Sequence, residues 1–172
     1  MNHDDLRLRI GRALSDLGVS GHRDTTDPLR RPRWRASFSS HGVVEGETRY
    51  LQLFVPVDDD ILQLNCTVEA SVLDAMPQEQ LQGSLEEFGV QCGHGTRQWE
   101  SLLADLGVDP GDTDGWSATI ALHTGIYHRM VLTRVTMPLE HLSDRSIELA
   151  TRIGYRLSGD ARARMATRCE AS

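Results

Sequence analysis

The sequence predicts an α+β fold: a five-stranded antiparallel sheet with helices packed on it, in the order α-β-β-β-α-α-β-β-α. Three observations predict it. The stretch Arg49 to Val68, RYLQLFVPVDDDILQLNCTV, alternates apolar and polar residues on both sides of an acidic triplet. After Val68 the apolar spacing changes from two residues to about 3.6, the period of a helix. Strands come in runs separated by helical runs instead of alternating one for one, which favours antiparallel pairing with helices against one sheet face.

The central stretch reads as a hairpin. Leu51, Leu53 and Val55 point to one face, and Tyr50, Gln52 and Phe54 to the other. On the return run, Leu62, Leu64, Cys66 and Val68 share a face, while Gln63, Asn65 and Thr67 share the opposite one. Asp58, Asp59 and Asp60 repel one another and seek water, so they belong at an exposed turn.

Before the hairpin, Leu6, Ile10, Ala13, Leu14 and Leu17 form the stripe of an N-terminal helix over residues 4–17, closed by Gly18. Val19 to Arg33 is a loop by composition. Trp34, Ala36 and Phe38 alternate with Arg35 and Ser37 as a strand, with a short extension at Val43 and Val44. After the hairpin, Pro77 opens a helix carrying Leu81, Leu85 and Phe88, capped by Gly89 and weakened by Gly83. The segment VQCGHG, residues 90–95, is a break. Thr96 is the N-cap of a helix carrying Trp99, Leu102, Leu103 and Leu106 and ended by Gly107. Ala118, Ile120 and Leu122 mark a fourth strand, and Tyr127 to Val135 a fifth. Pro138 opens the last helix, with Leu142, Leu149, Ala150, Ile153 and Leu157 inside. Residues 1–157 form one domain, and residues 158–172, poor in apolar side chains, are a tail expected to fray.

Composition narrows the chemistry. All 18 basic residues are arginine, so the lysine chemistries of Schiff bases and phosphate loops are excluded. With 25 acidic residues the net charge is −7, which disfavours nucleic-acid binding. No apolar run reaches the roughly 18 residues of a membrane span, and the N-terminus MNHDDLRLRI lacks the pattern of a signal peptide. A cytoplasmic home is expected, with the three cysteines as free thiols.

No catalytic residues, cofactor or metal are expected. Cys92-Gly-His94 offers two ligand types but no second pair, and His123 and His128 only flank a turn. In DPGDTDG the calcium-loop pattern fails, because its first and last ligand positions fall on Pro110 and Ala121. Two readings stand beside a binding function. One is a small enzyme or ligand-binding domain with a pocket near Cys92, His94 and His123. The other is a nucleic-acid-binding module using Arg30 to Arg35, with Trp34 stacking on a base; the plainer reading of that cluster is a charged entry to an edge strand.

The order α-β-β-β-α-β-β-α in an acidic chain of this size resembles the type III secretion chaperone-like family, which includes class I (Tir-type) secretion chaperones and the bacterial YbjN-type proteins. The resemblance covers Asp4 to about Leu157. It implies a non-enzymatic cytoplasmic homodimer with a twisted antiparallel sheet, acting as an adaptor that holds an extended segment of a client protein on apolar surface. The chain departs from the pattern in its two helical pieces between the third and fourth strands and in the arginine-bearing loop before the first.

The residues expected to meet the partner are Trp34, Phe38, Tyr50, Phe54 and Ile61. They give the central strands apolar side chains on a second face, beyond what one layer of helices covers.

Overall fold

Alternation and acid repulsion produce the expected hairpin. Strand β3 (Glu47–Pro56) and strand β4 (Ile61–Glu69) pair antiparallel with Leu51 opposite Cys66 and Leu53 opposite Leu64, and the acidic turn between them is exposed. The computed structural model describes residues 3–16, 23–24, 34–44 and 46–170. Around this hairpin lie strand β1 (Arg23–Asp24), β2 (Trp34–Val44), β5 (Gln91–Gly93), β6 (Ser117–Thr124) and β7 (Arg129–Pro138). The sheet order is β1-β2-β3-β4-β7-β6-β5, and every neighbouring pair is antiparallel. Six of these strands have three or more residues, and the two-residue β1 edges them.

The five expected strands are present. The two additions are short: β5 arises in the segment read as a break, and β1 in the stretch read as a loop. Two or three residues are too few to display a period, so neither was visible by alternation.

The helices are α1 (His3–Asp16), α2 (Gln78–Phe88), α3 (Arg97–Leu106) and α4 (Asp144–Glu170). The expected end of α1 at Leu17 and Gly18 lies outside the described residues. Helix α3 is bounded as its sequence dictates. The Thr96 hydroxyl accepts from the Trp99 N–H, and Gly107 takes φ +69°, a left-handed cap; such an N-cap is worth about 1 kcal/mol.

The last helix differs from expectation at both ends. Pro138 ends β7 instead of opening the helix, and a short turn follows. The helix opens at a serine pair: Ser146 N–H donates to Ser143 Oγ at 3.0 Å, and Ser143 N–H to Ser146 Oγ at 2.9 Å. At the other end, the segment expected to fray stays helical to Glu170. Its Ala161 and Met165 continue the helical spacing of Leu157, and all three are buried, so the stripe runs on where overall composition turns polar.

Helix α4 is the central support of one sheet face. It lies over β4, β7 and β6, and α1 and α2 pack against it. Contact is closest at Gly154, where an added Cβ would stand 2.5 Å from the Cys66 sulfur. Beside it a buried hydroxyl pair ties helix to sheet: Thr133 Oγ1 and Ser158 Oγ are 2.7 Å apart, and Ser158 donates to the Cys66 carbonyl at 3.1 Å. Ile147, Ala150, Ile153 and Leu157 complete the core with the inward residues of β3, β4 and β7. Among the described residues no helix is long and apolar enough to cross a membrane.

Candidate functional site

Because α4 sits on the face of Leu62, Leu64, Cys66 and Val68, the opposite face is left to the alternate residues. That face carries Tyr50, Gln52 and Phe54 on β3, Ile61 to Thr67 at odd positions on β4, and Leu132 and Arg134 on β7. Among the described residues no helix covers it. Asn65 at its centre accepts from Arg134 Nε at 3.2 Å.

Four of the five expected partner-binding residues gather here. Trp34, Tyr50, Phe54 and Ile61 are half-buried. The Trp34 and Phe54 rings lie 4.7 Å apart between centroids, and Tyr50 stacks on His41 at 6.0 Å.

Phe38 is a correction. It pairs with Leu53 on the helix side and is 4% exposed, so it belongs to the core. Strict alternation places Trp34, Ala36 and Phe38 on one face, but a β-bulge between Trp34 and Ala36 inserts one residue and reverses the phase. Trp34 therefore joins Phe54 on the face opposite α4, where Ser37, Asn65 and Thr67 are buried, while Phe38 turns inward.

A second concavity lies on the helix side, between the β2–β3 hairpin and the middle of α4. This open groove of about 840 Å³ is lined by Leu51, Leu106, Tyr155 and the arginines Arg49, Arg152 and Arg156. Arg49 lies 5.1 Å from the Tyr155 ring centre and donates to Glu47 at 2.9 Å. Glu47 also pairs with Arg162, whose guanidinium burial lowers below its ordinary value. The Tyr155 hydroxyl donates to the Tyr50 carbonyl at 2.9 Å, and burial raises its pKa. Sequence reasoning missed this groove. Its one sequence signal is Arg152, Tyr155, Arg156 and Gly159 at helical spacing, which marks one stripe of α4 but not what the stripe faces.

The Cys92, His94 and His123 set is not brought together. Cys92 pairs with Ala118 on the helix side, whereas His123 is five residues further along β6 and on the other face; that separation is about 17 Å at the rise of a strand. Burial pushes the Cys92 thiol up to about 11, so it is not a ready nucleophile. His94 stands 3.7 Å from Asp114, and His128 is held by Asp74 at 2.7 Å. Among the described residues no three His, Cys, Asp or Glu side chains are placed to share a metal ion.

Of the basic cluster, Arg30, Arg31 and Arg33 lie outside the described residues. Arg35 is engaged. It donates to the carbonyls of Pro56 and Asp59 at 3.2 and 2.7 Å and pairs with Asp60 at 3.1 Å, so it braces the acidic turn.

Comparison with known proteins adds one structure. No protein-family model matches the chain, and no curated protein matches it. Among solved structures, an uncharacterized protein from Methanothermobacter thermautotrophicus is similar over 93% of this chain and 96% of its own, with 15% identity and a TM-score of 0.49.

Proposed function

We propose that this protein is a non-enzymatic binding domain, a homodimeric adaptor that holds an extended segment of a client protein on the open face of its sheet. The observation that carries the reading is the one-sided packing of the helices. It leaves Trp34, Tyr50, Phe54 and Ile61 on a face that no described helix covers. Half-buried aromatic rings of this kind supply large contact area at low entropic cost, as at the centres of many interfaces. The resemblance in element order to secretion chaperones points the same way.

The dimeric part of the reading has a separate support. Five of the seven exposed large apolar residues among those described lie at the same end of the sheet, from the β2–β3 hairpin to the β6–β7 turn: Val43, Val44, Val72, Ile126 and Tyr127. Ile126 and Tyr127 are 92% and 88% exposed. A surface of this sort is commonly covered by a second copy around a two-fold axis.

The test is selection of a random peptide library on purified protein, with light scattering for mass. The reading expects twice the 19.2 kDa chain mass and peptides whose binding perturbs Trp34 and Phe54. A monomer that selects no peptides, or binders that map to another surface, overturns it.

A further inference from the structure

We propose that the groove between the β2–β3 hairpin and α4 is a binding site for a small organic anion with an apolar body. This site lies on the helix side of the sheet and does not depend on the client-binding reading.

Two glycines make the first argument. Gly154 and Gly159 both stand in α4, where glycine costs up to about 1 kcal/mol relative to alanine. Gly154 is required, because a Cβ would collide with Cys66. A Cβ on Gly159 meets nothing within 4 Å, and its backbone needs no positive φ. Gly42, within β2, has the same two properties. Both line the groove. Gly83 of α2 has the same two properties away from the groove, so the glycines alone mark no site; at the groove, Gly42 and Gly159 leave the main chain open to close approach by a ligand.

Charge makes the second argument. Three arginines line the groove: Arg49 is paired with Glu47 at 2.9 Å, and Arg156 with the one lining carboxylate, Asp160, at 3.0 Å. Asp105 holds the same guanidinium at 3.1 Å. Arg152 is exposed and has no partner among the described residues. In a chain of net charge −7 this leaves the Arg152 guanidinium as the groove's donor for a carboxylate, sulfonate or phosphate.

The remaining lining sets the ligand's body. Leu51, Leu106 and the Tyr155 ring are apolar, and about 840 Å³ lies within the roughly 300–1,000 Å³ of small-molecule sites. An inorganic anion would leave that surface unused.

The probe is anilinonaphthalene sulfonate, an anion on an apolar ring system, with phenylnaphthylamine as the same rings without the charge. Fluorescence titration should give saturable binding of the sulfonate. Gly159→Trp should fill the groove and remove binding while the circular-dichroism melt stays cooperative. Arg152→Gln should weaken the sulfonate about tenfold, the size of one charge-assisted contact, and leave the neutral dye within twofold. Phe54→Asp, on the other face, should leave binding within twofold. Undiminished binding to a folded Gly159→Trp, equal loss of both dyes in Arg152→Gln, or loss in Phe54→Asp would each overturn the proposal.

Discussion

Gly154 of α4 lies against Cys66 of β4 so closely that a single added methyl would stand 2.5 Å from the sulfur. Gly159, five residues on, has open space at the same position. The pair separates packing from propensity. Gly154→Ala should destabilise the fold by about 2 kcal/mol through overpacking, despite the better helix former. Gly159→Ala should stabilise it by up to about 1 kcal/mol. Urea unfolding of the two variants reads both signs, and equal signs would contradict the placement of α4.

The end of α4 gives a second prediction. Met165 is fully buried in a segment whose composition alone reads as a tail. Met165→Ala should cost about 3 kcal/mol, the usual price of a core methionine. A change within about 0.5 kcal/mol, as at surface sites, would mean that the segment does not pack.

A third concerns pH. Asp74 receives the Arg129 N–H at 2.8 Å and His128 Nδ1 at 2.7 Å. These bonds lower the Asp74 carboxyl below 3.8, with the backbone bond first, and the Asp74 contact raises His128 above 6.5. For a raised imidazole the stabilisation is complete below 6.5 and is lost as pH climbs through the folded-state value. For a lowered carboxylate it is complete above 3.8 and is lost as pH falls through the folded-state value. The pair therefore contributes fully between those two values. In wild type the denaturation midpoint should fall above pH 6.5, and His128→Gln should flatten that part of the profile. Identical profiles would show that the contact carries no linkage.

These contrasts show what the chain discloses in advance. The hairpin was legible because its alternation runs through both strands and its three adjacent acids admit only an exposed turn. Helix α3 was legible from Thr96 and Gly107, whose chemistry marks the two ends directly. Phe38 was misassigned because a bulge one residue long reverses the phase without leaving a mark in the pattern. The α4 tail was misjudged because average polarity hides two residues, Ala161 and Met165, that continue a stripe. The groove is a meeting of α4 with a hairpin about a hundred residues earlier, and no local period reports such a meeting.

The most direct measurement compares two phenylalanine substitutions. Phe54→Asp should retain a cooperative urea transition, losing only about 1 kcal/mol for its ring contact with Trp34, while binding of selected peptides falls at least about tenfold, one hot-spot residue's worth. Phe38→Asp should fail to fold. If Phe54→Asp unfolds the protein as Phe38→Asp does, or binds peptides as wild type does, then the open face is not the binding surface.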